Sequence, residues 1–324
     1  MTKRWLLVIA VLVVVALAGG AAWYAVRTGA GPLPDPEQCT ATVDDYTVAL
    51  STEQAENASI IAAVAERRAL PARAISIAIA TAYQESKLVN LAGGDRDSLG
   101  LFQQRPSQGW GKSRQIMDPY FATNAFYDAL VKVDGYREMP ITEAAQEVQR
   151  SAFPDAYADH EQDGRTIASA MSGYSDAAFS CQTTTPDVVD QEIGADGLTG
   201  RAEKVRAEVT ASFGDLPLGG FDPEGVSSGH MPGSAHYEGR AIDAFFRPTS
   251  EQNTRRGWVL AHFLVANAER LDIAHVIFDD RIWSAGSRSH EGWHDFDPPG
   301  LSADTSGETR QILEHRDHVH VDVF

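Results

Sequence analysis

The chain has 324 residues, 43% of them hydrophobic, with 45 acidic against 27 basic side chains and a formal net charge of −18. That length suits about two ordinary domains with cores of their own. The acidic balance, with no basic run anywhere, excludes nucleic acid as a partner, because a binder of that kind carries a positive patch or stripe.

The N-terminus opens with Lys3 and Arg4, followed by the charge-free stretch "WLLVIAVLVVVALAGGAAWYAV". About twenty such residues span a bilayer as a helix, and basic residues ahead of them favour a cytoplasmic N-terminus. Residues 1–28 are therefore expected to be a single-pass anchor that associates the chain with the cell membrane and leaves its bulk extracytoplasmic. The small residues of "ALAGGAA" leave a cleaved signal peptide as the alternative, which would make the chain secreted. Residues 29–38 are rich in Gly and Pro and read as a linker.

Residues 39–181 carry alanine-rich segments such as "ASIIAAVAERRAL" and "ARAISIAIATAYQES", with apolar side chains at helical spacing. They predict a mainly-α domain. The two cysteines of the chain, Cys39 and Cys181, bracket it. In an exported protein an even count predicts a disulfide, and closing so long a loop adds about 4–5 kcal/mol in the chain-entropy picture. Residues 182–198 are polar and aperiodic and read as a second linker. Residues 199–324 mix helical segments with the strand-like runs "RAIDAFF", "AHVIFDD" and "DHVHVDVF", which predict an α+β domain with an antiparallel sheet. The expected fold class is thus multidomain: a transmembrane helix, a mainly-α domain and an α+β domain.

The chemistry of the first domain lies in "AIATAYQESKLVNLAGGDRDSLGLFQQRPSQGWG". Glu85 ends an apolar helix on which Ile75, Ile79 and Ala82 recur at helical spacing, and a carboxyl held at the end of such a wall suits a general acid. This arrangement resembles the catalytic core of the lysozyme-like soluble lytic transglycosylases and goose-type lysozymes. The resemblance is carried by Glu85-Ser86, Ser98, Gly100-Leu101-Phe102-Gln103 and Pro106. It implies cleavage of the β-1,4 bond of peptidoglycan glycan strands, with Glu85 protonating the leaving oxygen. Ser98 and Gln103 would line the sugar subsites, and Tyr157, in "SAFPDAYADH", would stand for the cleft tyrosine of that family. Asp95 or Asp97 could supply the second carboxylate that inverting hydrolysis requires. Without one, the 6-hydroxyl of the substrate itself attacks and leaves an anhydro product, so hydrolase and transglycosylase both stay open.

In the second domain "SAHYEGRAIDAFF" sets His236 seven residues before Asp243, and "HVH" sets His318 and His320 on one face of a strand with valines on the other. Two histidines, one aspartate and a water make a catalytic zinc set. Arg240 is a candidate for holding a substrate carboxylate. The motif resembles the Ser-x-His-x-x-Gly-x-Ala-x-Asp pattern of the zinc D-alanyl-D-alanine carboxypeptidases and L-alanoyl-D-glutamate endopeptidases, through Ser234, His236, Gly239, Ala241 and Asp243. The resemblance implies a Zn2+ cofactor held by His236, Asp243 and His320, with Asp317 as base and His318 assisting. The substrate would be the stem peptides of the cell wall. Of the other histidines, His230, His290, His294 and His315, most are expected at the surface. The two halves together predict a bifunctional bacterial peptidoglycan hydrolase, with a non-catalytic wall-binding scaffold as the alternative.

Overall fold

Alanine and isoleucine dominate the first two helices of the described chain, and both are buried on nearly every side, as helices apolar all round must be. Residues 38–324, Val188 excepted, are described in a computed structural model. A hairpin of β1 (Cys39–Val43) and β2 (Tyr46–Leu50) leads into α1 (Thr52–Arg67) and α2 (Ala72–Ser86). Ser51 caps α1 through a capping box: its hydroxyl accepts from the Gln54 amide, and Gln54 Oε1 accepts from the Ser51 N–H. Then follow α3 (Ser113–Ile116), α4 (Pro119–Leu130), α5 (Ile141–Gln149), α6 (Glu161–Met171) and β3 (Phe179–Cys181). Strand β1 pairs with both β2 and β3, so this mainly helical part carries a three-stranded antiparallel sheet. Cys39 stands directly opposite Cys181 in that sheet, and the two form the expected disulfide, a bond that persists in oxidising compartments.

The remaining elements are α7 (Gly200–Phe213), β4 (Leu218–Gly219), β5 (Ala241–Phe245), α8 (Glu251–Ala266), α9 (Ala268–Leu271), β6 (Ile273–Phe278), β7 (Arg281–Ser284), β8 (His294–Asp295), α10 (Gly307–Leu313) and β9 (His318–Val323). They build a six-stranded antiparallel sheet in the order β4-β5-β9-β6-β7-β8. The last strand in sequence is therefore central in space, hydrogen-bonded to β5 on one side and β6 on the other.

Helix α8 lies between the two parts. It packs on β6 and β9 and also on α1, α6 and β3. Its residues from Gly257 to Ala266 are all buried. Gly257 lets the helix approach the sheet closely, since a Cβ there would run into the Phe278 ring. One hydrophobic core runs continuously from Cys39 to Val323. Residues 182–198, expected as a linker, are bonded to both sides: the Gln182 N–H donates to the Gln38 carbonyl, Thr184 bonds Glu269, and the Gln191 amide reaches the carbonyl of Phe324.

The expectation of a membrane-spanning helix is corrected. The segment 1–28 lies outside the described residues, and among the described residues no helix is long and apolar enough to cross a membrane. The longest ones, α1, α2 and α8, have 15 or 16 residues, short of the ~20 a bilayer requires. The fold class and the cell-membrane localisation that rested on such a helix are replaced by what the described residues form: helices and two antiparallel sheets.

Candidate metal centre and a paired glutamate

The pleat of β5 and β9 sorts the second site. Residues directly opposite one another in an antiparallel pair share a face. The register places Asp243 opposite His320, Phe245 opposite His318 and Ala241 opposite Asp322. On the far side of β9, Ile277 faces His320 and His275 faces Asp322. This face floors a cavity of about 720 Å³. The opposite face carries Val319, Val321, Val323, Ile242 and Ala244, all buried in the core. The alternation read from "HVHVDV" is therefore a division between the core and the cavity.

His236 reaches the same floor from a 3-10 turn, Ala235–Glu238, which Ser234 caps and Gly239 ends. Its Nδ1–H donates to the Gly220 carbonyl at 2.7 Å, which leaves Nε2 as a lone pair. That atom lies 3.2 Å from Asp243 Oδ1 and 3.0 Å from His320 Nδ1. His320 Nδ1 is 3.1 Å from Asp243 Oδ1, and its other nitrogen donates to Asp322 Oδ2 at 3.3 Å. Asp322 in turn accepts from His275 at 2.9 Å. The outer partners thus turn two imidazole nitrogens and a carboxylate oxygen toward one point, where only a shared proton or another cation can sit between them. Mutual spacings of 3.0–3.2 Å approach the edge of a tetrahedron whose bonds are about 2.0–2.1 Å. Such a set calls for a cation. His236, Asp243 and a further histidine, His230, form a group that can hold a metal ion, their ligand atoms all within 4.8 Å of one another.

The charges agree with this geometry. Burial would push Asp243 up, but hydrogen bonds from His236 and His320 outweigh it and hold the carboxyl well below the usual range. Burial likewise opposes ionisation of Asp322, and the bonds from His275 and His320 again prevail. His320 is raised against its own burial by the carboxylates of Asp243 and Asp322. These carboxylates attract positive charge at this point, and a metal ion that takes the place of the proton releases it.

Strand β9 begins at His318, so Asp317 sits in the preceding bend. Its Oδ1 accepts from His318 Nδ1 at 2.7 Å and its Oδ2 from Arg247 Nε at 2.6 Å. The Nε2 of His318 then faces Asp243, 3.9 Å from Oδ1. Arg240 also lines the cavity, but its guanidinium is engaged by Glu238 and by the Val323 carbonyl. The more exposed cation at the rim is Arg247, 54% exposed, held by Asp317 through Nε and stacked over Phe245. His230 and His315 line the cavity rather than the outer surface, whereas His290 is exposed and His294 bonds Arg288 outside it.

Asp322, His275, Gly220 and Arg247 were not legible as site residues from motif matching. Asp322 had a signal all the same: it lies two residues after His320 on the same strand face. Gly220 had none. Its left-handed φ of +80° and lack of a Cβ are needed because a Cβ would meet the His236 ring at 2.4 Å and Asp243 at 3.0 Å.

Glu85 lies in the last turn of α2, and its Oε1 accepts from Tyr157 Oη at 2.7 Å. Tyr157 is fully buried. Burial first, then the bond to Glu85, raises its phenol far above the ordinary value and keeps it a donor. Ser86 pins the helix end by donating to the Leu101 carbonyl, so the "GLFQQ" turn stays against the glutamate. Ser98 is buried in the same turn, while the amide of Gln103 folds back onto the Gly100 carbonyl. Asp97 is committed elsewhere: the Ser107 amide and hydroxyl and the Arg105 guanidinium bind its oxygens and hold it far below the usual range. Asp95 is almost fully exposed. A groove of about 910 Å³ lined by Gln108, Trp110, Lys132, Gln149 and Arg150 lies in this part, and Glu85 is not among its walls.

A family described as "VldE, C-terminal domain" matches residues 194–306. The match includes His236 and Asp243 and stops before β9. No curated protein matches the chain.

Proposed function

We propose that the chain cleaves peptidoglycan at two sites: a zinc-dependent peptide hydrolase on the six-stranded sheet and a glycan-cleaving site at Glu85. The observation that carries the reading is the convergence of His236 Nε2, Asp243 Oδ1 and His320 Nδ1 at mutual spacings of 3.0–3.2 Å, with the second nitrogen of each histidine already bonded elsewhere. Two histidines and a carboxylate are the donor set of a catalytic zinc with one position left open. A zinc ion held there would supply Lewis-acid polarisation of a peptide carbonyl and activation of water.

The residues of the chain do the rest. His318, with Nδ1–H held by Asp317, presents Nε2 as the base that takes a proton from the attacking water and returns it to the leaving amine. Asp317 orients that imidazole, since both of its oxygens are engaged. Arg247 stands at the rim to receive a substrate carboxylate. At the other site Tyr157 positions the Glu85 carboxyl, which protonates the glycosidic oxygen. With Asp97 locked to Arg105 and Ser107, attack by the 6-hydroxyl of the substrate is favoured over inverting hydrolysis.

Mass spectrometry of purified wall digests tests the reading. Glu85→Gln should abolish glycan products and spare peptide cleavage, and His236→Ala should do the reverse. Wild-type protein that releases neither product with zinc supplied would leave only the non-catalytic wall-binding reading.

A further inference from the structure

Six of the ten histidines of the chain line one cavity: His230, His236, His275, His315, His318 and His320. Four have partners in the scheme above. His315 donates through Nδ1 to the Leu313 carbonyl and packs its ring against His318. His230 is different. It comes from no strand or helix and sits on the loop between β4 and the His236 turn, with Gly229 (φ +93°) before it.

Its ring stacks on His236, with centroids 3.9 Å apart and planes inclined by 24°. One of its nitrogens lies within 4.8 Å of the ligand atoms of His236 and Asp243. Tyr237 holds the loop in place: its hydroxyl accepts from the His230 N–H and donates to the His230 carbonyl. The backbone of His230 is thereby fixed beside the centre, and its side chain is half-buried.

We infer that His230 is a fourth, displaceable metal ligand. With His230 bound, the centre has four protein ligands and is closed, the arrangement of structural zinc sites. With His230 stacked on His236, a position is open for water and substrate, the arrangement of catalytic ones. The loop therefore sets the resting state of the centre, and a substrate entering the cavity displaces an imidazole rather than water alone. This inference rests on the metal reading of the site.

X-ray absorption at the zinc edge on the full chain, loaded with one Zn2+ and free of substrate, counts imidazole ligands directly. The wild type should show three imidazoles, and His230→Ala should show two while still taking up one Zn2+. Competition with a chromophoric chelator should show the variant binding Zn2+ at least about ten-fold more weakly. Two imidazoles and equal affinity in both proteins would overturn the inference and leave a three-ligand centre. A wild type that takes up no Zn2+ would overturn the metal reading itself, an outcome distinct from the other two. His236→Ala, which removes an inner ligand, serves as the reference for lost binding.

Discussion

His262 makes the joint between the two parts of the fold sensitive to acid. It lies on α8, fully buried, and its Nδ1–H donates to the carbonyl of Ala170 at the end of α6. Its Nε2 has no partner and faces the rings of Trp258 and Trp293. A second proton would create an N–H cation with no acceptor in an apolar setting, and burial lowers the group from its ordinary 6.5 to about 4. Below pH 6.5 the unfolded chain takes up that proton and the folded chain does not. Stability therefore falls as the pH drops and levels off below about 4. At 1.36 kcal/mol for each pH decade between the two values, this one histidine costs about 3 kcal/mol of stability between pH 7 and pH 4. In His262→Asn the amide can still donate to Ala170, and the titrating group is gone. Denaturant unfolding of both proteins at pH 7 and pH 4 measures the difference. The variant should be less stable at pH 7, because it leaves a cavity, and should lose about 3 kcal/mol less on acidification. Parallel losses in the two proteins would refute the reasoning, since His262 would then be charged or hydrated in the folded state.

Three further outcomes are expected. Gly220→Ala puts a Cβ 2.4 Å from the His236 ring at a φ that disfavours it, so Zn2+ affinity by competition titration should fall at least about ten-fold while the far-UV spectrum is kept. Asp322→Asn removes the carboxylate that turns His320 Nδ1 inward, and should weaken Zn2+ binding about 10- to 100-fold; unchanged affinity would mean that Asp322 does not orient the ligand. Replacing Cys39 and Cys181 together by Ser should cost about 2–5 kcal/mol by denaturant titration, with β1 losing its covalent tie to β3.

Removal of residues 320–324 would do more than delete one ligand. In the structure β9 is the central strand, and its valines belong to the core that α8 shares with α1 and α6. The truncation would open a core that both parts use.

Local periodicity by itself determined much of this protein. A period of two on "HVHVDV" divides the histidines from the valines, a helical period places Glu85 at the end of an apolar helix, and two cysteines in one chain admit one intramolecular pair. The first two are properties of a few consecutive residues, and covalent geometry propagates them without help from the rest of the chain; the third is a matter of counting. The tertiary structure alone decided which residues meet. His236 and His320 are 84 residues apart and touch because the β5–β9 register sets Asp243 opposite His320. Asp317 is engaged on both oxygens because Arg247 folds over Phe245 to reach it. Gly220 and His275 join the site from loops and strands with no shared motif. The two expected domains share one core because α8 is buried on all its faces from Gly257 to Ala266, and a helical stretch of that kind has to be covered from both sides.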